Sequence, residues 1–196
     1  MLFTLKSSFL AGVCIGIAGF GYLIIGGLPG AVLFAFGLLA VVSYKLKLYT
    51  GTAGFIRKGE LGNLMLILLG NILGCLAVAL LARVSPLGLQ ESAQKILQGR
   101  LAIGPLRAGL LAIGCGFLMT TAVTFARKGQ YLPLLFCVPM FIVCGFPHCV
   151  ADAFYYLCVP FSFIADNLLA TLIFYVSIVA GNFIGCNLYR IVIKQE

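Results

Sequence analysis

Long apolar runs separated by short polar punctuation organise this chain, and they fall at roughly 8–26, 30–57, 61–83, 105–126, 131–159 and 167–190. Each run supplies about the 20 helical residues needed to cross a hydrocarbon layer some 30 Å thick. The pattern therefore predicts six membrane-spanning helices. Gly26-Gly27-Leu28-Pro29-Gly30 reads as a tight turn between the first two. Arg57-Lys58-Gly59-Glu60 and Arg127-Lys128-Gly129-Gln130 punctuate the second/third and fourth/fifth junctions. The stretch 84–104, with Glu91, Lys95 and Arg100, reads as the one long loop.

Composition narrows the class further. Of 196 residues, 62% are hydrophobic and 9% charged, and the mean hydropathy is +1.15. A soluble domain needs more polar surface than that. The net charge of +8 does not point to nucleic acid, because the basic residues cap apolar segments rather than form a face. With the N-terminus inside, Lys6, Arg57, Lys58, Arg127, Lys128, Arg190 and Lys194 are cytoplasmic, and Arg83, Lys95, Arg100 and Arg107 flank the outer side. The excess of cations predicts a multi-pass protein of the cell membrane with both termini cytoplasmic. Lys6 precedes a Gly-rich apolar stretch followed directly by further spans, so no cleaved signal peptide is expected. Eight cysteines lie inside apolar segments without Cys-x-x-Cys spacing, the pattern of buried thiols rather than of disulfides or a metal site. No cofactor is expected.

The third and sixth segments share a signature. Gly70-Asn71-Ile72-Leu73-Gly74-Cys75 reappears as Gly181-Asn182-Phe183-Ile184-Gly185-Cys186. Each places Gly-xxx-Gly on one helical face, which suits close helix packing. Three spans per half bring the second half in from the opposite side. The expectation is a single transmembrane domain over 1–196, with inverted repeats at roughly 1–83 and 105–196 and an outer loop at 84–104.

Two segments contain stretches that membrane helices avoid. In the second it is Lys45-Leu46-Lys47-Leu48-Tyr49-Thr50-Gly51-Thr52, and in the fifth Cys144-Gly145-Phe146-Pro147-His148-Cys149-Val150-Ala151-Asp152. Interruptions of this kind occur where backbone is buried in protein or lines a cavity. Pro147 suits the first position of a new half-helix, and Thr50 or Thr52 suits the cap of the corresponding one. In an inverted repeat both half-helices start near the midplane, where their positive ends attract anions. His148 is the only histidine. A lone histidine on an apolar face is usually a satisfied core residue, but beside a break in a membrane helix an ionisable group is a functional candidate. Asp152, four residues on, orients the imidazole or pairs with Lys47. Lys45 and Lys47 either face the pore or snorkel to the cytoplasmic interface.

At these residues the chain resembles the formate/nitrite transporter family. The resemblance covers all six segments. It is carried by Leu48-Tyr49-Thr50-Gly51, by Gly145-Phe146-Pro147-His148-Cys149-Val150-Ala151-Asp152-Ala153-Phe154, and by Gly181 to Gly185. It implies an all-α polytopic protein with an aquaporin-like protomer, broken second and fifth helices, and assembly as a homopentamer. It also implies that His148 is a central pore histidine faced by Thr50, with constrictions at Phe34, Leu38, Leu48 and Phe141. The residues alone read those four as ordinary packing. The chain departs from the family where Pro147 replaces an acidic residue, Gly116 replaces its asparagine partner, Asp152 replaces an asparagine, and Lys47 stands where an acid is common.

The reading that results is a channel or proton-coupled transporter for small monovalent anions or their conjugate acids, in the class of formate, nitrite, hydrosulfide or a short carboxylate. If His148 or a linked water donates a proton, the neutral acid crosses the phenylalanine slits without the Born cost of a bare charge. A neutral-solute or weak-base channel for ammonia or water is the alternative, although the Asn-Pro-Ala repeats of aquaporins are absent. An intramembrane enzyme would need His148 to pair with Cys144 or Cys149, and one histidine makes no metal site.

Overall fold

A computed structural model describes residues 1–193, so Lys194, counted above among the inner cations, lies outside the described residues. Among the described residues ten helices follow one another: α1 Leu2–Ile25, α2 Gly27–Ser43, α3 Tyr49–Ala53, α4 Leu61–Arg83, α5 Leu89–Ile103, α6 Pro105–Arg127, α7 Leu132–Val143, α8 Cys149–Cys158, α9 Phe161–Asp166 and α10 Leu168–Val192. Helices α1, α4, α6 and α10 are each long and apolar enough to cross a membrane. The two segments expected to be broken are broken. One is α2 and α3, and the other α7 and α8, each pair separated by five residues.

Glycine sets the packing. Helix α4 lies against α1, and α10 against α6. A Cβ added at Gly74 would strike the carbonyl of Phe9, and one at Gly185 the carbonyl of Ile113. Those Gly-xxx-Gly faces are therefore filled within the chain and are not the faces of an assembly. Gly116 has the same explanation, since a Cβ there would strike the carbonyl of Asn182. No larger residue fits where the family has asparagine.

The stretch expected as a long loop is instead largely helical, as α5. Leu89, Ala93 and Leu97 fall at four-residue spacing and are all fully buried, a stripe that packs α5 onto α8 and α1. Gly88 and Gly104, which carries φ +81° and ends the helix, mark its limits. Of the charged residues that made the segment look like a loop, Glu91 and Lys95 are exposed on its other side.

The two breaks are built alike. At the end of α2, Tyr44, Lys45 and Leu46 donate their N–H groups to the carbonyls of Ala40, Val42 and Val41. At the end of α7, Cys144, Gly145 and Phe146 donate to Met140, Ile142 and Phe141. Every bond recurs one hundred residues further on. Both are Schellman endings, with the turn residue left-handed. That residue is Gly145 at φ +68° in the second break but Lys45 at φ +52° in the first.

Candidate pore site

After each break the chain starts a short helix, and a buried asparagine holds the start. Asn71 on α4 accepts from the Tyr49 N–H at 2.9 Å and donates to the carbonyls of Lys47 at 3.0 Å and Ser8 at 2.8 Å. Asn182 on α10 accepts from the Cys149 N–H at 2.8 Å and donates to Pro147 at 2.9 Å and Ala112 at 2.8 Å. Each amide thus satisfies its donors and acceptor in the protein interior, where an unpaired polar group costs a few kcal/mol. The sequence showed both asparagines inside a packing motif and gave no sign of this work. Two thiols tie the halves together: Cys75 Sγ donates to the carbonyl of Val150 at 3.4 Å, and Cys186 Sγ to that of Thr50 at 3.4 Å.

Thr50 and Thr52 cap nothing. Leu48 occupies the N-cap of α3 and has no side-chain acceptor to offer; Asn71 takes the Tyr49 amide instead. Pro147 stands one residue outside α8, and His148 itself is the N-cap. Its Nδ1 accepts the Ala151 N–H at 3.1 Å. A ring nitrogen that accepts carries no proton, so the neutral ring is the Nε2–H tautomer. Nε2 lies 2.9 Å from Thr50 Oγ1 and donates to it, which leaves the Thr50 proton free to donate onward. Phe141 stacks on the imidazole at 5.4 Å between centroids, and Phe34 meets Phe141 edge-on at 5.9 Å.

Asp152 touches neither the imidazole nor Lys47. Its Oδ2 accepts the backbone N–H of His148 at 2.8 Å, and its Oδ1 accepts Arg100 Nε at 3.0 Å. Arg100 reaches on to the carbonyl of Gly145 with Nη1 at 2.6 Å. The partner of Asp152 comes from α5, the segment read as a loop, and was not anticipated. Lys47 instead donates from Nζ to Thr4 Oγ1 at 3.1 Å, near the face of Phe3. Its hydroxyl partner lies on the first turn of α1.

Two cavities approach this centre. One of about 640 Å³ is lined by Lys45, Lys47, Gly51, Thr52 and Arg127 among others. The other, about 240 Å³, is lined by Tyr22, Lys95, Arg100, Phe141, His148 and Asp152 among others. They lie toward opposite ends of α1: Lys47 binds Thr4 near its start, and Tyr22 is near its finish. Eighteen helical residues separate those positions, about 27 Å. Leu38, Leu48, Thr50 and Phe34 are all buried and line neither cavity. From Lys47 in one cavity the chain runs through Leu48 to Thr50, whose hydroxyl bonds His148 in the wall of the other.

The formate/nitrite transporter family model matches residues 2–194. The chain belongs to this family. Among solved structures, it is similar to a pentameric formate channel with formate bound, at 22% identity and a TM-score of 0.82, covering 95% of this chain and 92% of that one. It is also similar to an ion channel of the same family, at 22% identity and a TM-score of 0.80, covering 96% and 87%. No curated protein matches the sequence. Membership makes this a multi-pass membrane transport protein, and its relatives are channels and transporters rather than enzymes. Both ring nitrogens of His148 are engaged, by Thr50 and by Ala151.

Proposed function

We propose that this chain is a channel for small monovalent anions and their conjugate acids, formate foremost, with one pore per protomer of a homopentamer. Nitrite, hydrosulfide and short carboxylates belong to the same class of permeant. The chain crosses the membrane six times, α2–α3 and α7–α8 each counting as one broken crossing. Its two halves run in opposite directions about the meeting point of the breaks. Both termini are cytoplasmic, so the Lys47 cavity faces inward and the Arg100 cavity outward.

The observation that carries this reading is the Thr50–His148 hydrogen bond, buried between two cavities that approach from opposite ends of the molecule. An anion gathers in the inner cavity beside Lys47, Lys45 and Arg127. At the centre the Thr50 hydroxyl, held by the Nε2–H of His148, offers it a hydrogen bond. Phe34, Phe141, Leu38 and Leu48 close the path on either side. They favour the uncharged acid, because a bare anion between apolar rings loses its hydration. A hydrogen bond from Thr50 needs no second proton on the ring, whereas full proton transfer does, and the pH dependence of the flux separates the two. With the Gly-xxx-Gly faces used inside the protomer, assembly uses the exposed apolar sides of the bundle, where Leu33, Phe36, Leu80 and Leu169 stand.

Reconstitution in liposomes tests the reading: uptake of formate, nitrite, hydrosulfide, acetate, lactate and ammonia is compared across imposed pH gradients. Formate and its analogues are expected to move, driven by an inward proton gradient. Ammonia flux without any anion flux would replace this reading with that of a weak-base channel. Native mass spectrometry is expected to show five copies, and a stable monomer or dimer would refute the assembly.

A further inference from the structure

Arg100 and Asp152 form the one salt bridge among the described residues. It stands in the wall of the 240 Å³ cavity, beside His148. The Asp152 side chain is 1% exposed and that of Arg100 18%. The carboxylate is fully used, one oxygen on the His148 amide and the other on Arg100. The guanidinium is half used, because Nε and Nη1 are bonded while the rest of its fork is directed to no protein acceptor among the described residues. The only other charged residue lining this cavity is Lys95, which is solvent-exposed and therefore screened. The opposite cavity carries Lys45, Lys47 and Arg127, with no carboxylate in its lining among the described residues. One mouth is cationic. The other is nearly neutral at its inner wall.

We propose that Arg100 and Asp152 act together as a selectivity element, in which Asp152 offsets the guanidinium and so sets how tightly the Arg100 cavity holds an anion on its way to or from His148. This deepens the channel reading above and rests on it. Arg100 is the anion's contact, through the free part of its fork. Asp152 works through Arg100 and through the His148 backbone. Paired, the two present little net charge, so an anion enters, is oriented by the guanidinium and leaves readily. Unpaired, the guanidinium would hold the anion. Without the guanidinium, the buried carboxylate would repel it. Opposite signs for the two single changes distinguish a charge balance from a structural strut, whose loss damages function in the same direction from either side.

The test is a charge ladder on the full-length assembled protein, with formate flux in proteoliposomes measured against concentration. D152N keeps an oxygen for the His148 amide and leaves the wall positive. R100Q leaves it negative, and R100Q/D152N returns it to neutral. D152N is expected to lower the KM for formate about fivefold, and also the maximal flux as release slows. R100Q should raise KM by about fivefold, the effect of one unit charge across a partly hydrated cavity. The double variant should undo most of the KM shift of either single variant, yet stay above the wild-type KM because the guanidinium contact is gone. Should R100Q fail to assemble, the fall in KM for D152N and its reversal in the double variant carry the test. KM shifting in the same direction in both single variants, or no reversal in the double, overturns the inference while leaving the channel reading intact. A wild-type protein that moves formate in none of these conditions overturns both.

Discussion

At the first helix break the left-handed residue is Lys45, and Leu48 stands where the new helix starts; at the second, Gly145 and His148 hold those places. The backbone bonds of the two turns are the same, and so are the asparagine clamps. The side chains have diverged. The first break carries cations and a short helix of five residues, Tyr49–Ala53. The second carries an imidazole, a carboxylate and a ten-residue helix, Cys149–Cys158. A shared frame with unequal side chains separates what the backbone needs from what a permeant needs. Features present in both breaks belong to the frame, and features present in one are the candidates for chemistry.

The largest effect should come from the frame. Asn71→Leu or Asn182→Leu strips two loop groups of their partners, the Tyr49 or Cys149 amide and the Lys47 or Pro147 carbonyl, at about 1–3 kcal/mol each. Both variants should therefore lose assembled protein, and to a similar extent, by size-exclusion chromatography of the solubilised protein. A large difference between the two would show that the clamps are not equivalent.

Replacing His148 with Phe comes next. Flux should fall to the leak of protein-free liposomes and lose its pH dependence. Stability should fall only by about 1 kcal/mol, since one helix cap is lost. Leu48→Phe, at the matching place of the other break, should slow flux by steric filling and leave its pH profile unchanged. An unaltered pH profile in His148→Phe would make the imidazole a structural cap and nothing more.

Charge at the first break should matter less, and only at low salt. Lys47→Glu should depress anion flux several-fold at low ionic strength and little at high, because the Debye length shrinks from about 30 Å at 0.01 M to about 3 Å at 1 M. Lys45→Glu should do less, being more exposed. Equal loss at both ionic strengths would mean that the Lys47–Thr4 bond, and not steering, is what the lysine supplies.

The smallest expected effect concerns the turn itself. A non-glycine residue in the left-handed region costs roughly 1–2 kcal/mol, part of which glycine returns as unfolded-state entropy. Lys45→Gly should then stabilise by about 0.5 kcal/mol. Gly145→Ala should destabilise by about 1 kcal/mol through backbone strain alone, since a Cβ there meets nothing within 4 Å. Thermal unfolding of the detergent-solubilised protein reads both.

Much of this was legible in the sequence. The breaks showed because glycine, proline and ionisable residues interrupt runs that are otherwise apolar, and lipid tolerates that only around a buried or wetted backbone. Thr50 and His148 were paired in advance through the family resemblance, and the structure brings their side chains together. Arg100 was not legible as a site residue. It lies on a segment whose charges suggested a loop, although Leu89, Ala93 and Leu97 already carried the spacing of a helix. Its partner lies 52 residues away, and no local pattern encodes that pairing. The asparagines were visible but looked incidental, because a buried amide is explained only by the loose backbone it satisfies, and that backbone belongs to another segment. Capping misled because the new helix starts earlier than either threonine: Leu48 holds the N-cap, so Thr50 and Thr52 lie inside α3.

The thiols of Cys75 and Cys186 bear on how the molecule comes together during synthesis. The first break is anchored by Ser7 and Asn71, both of which precede α5, so its shape can be set as soon as α4 is inserted. One sulfhydryl and one carbonyl are then left for the later half. Cys75 waits for the carbonyl of Val150, and the Thr50 carbonyl waits for Cys186. The early half thus acts as a template that stays open at its centre until α10, which leaves the ribosome well after it, closes it.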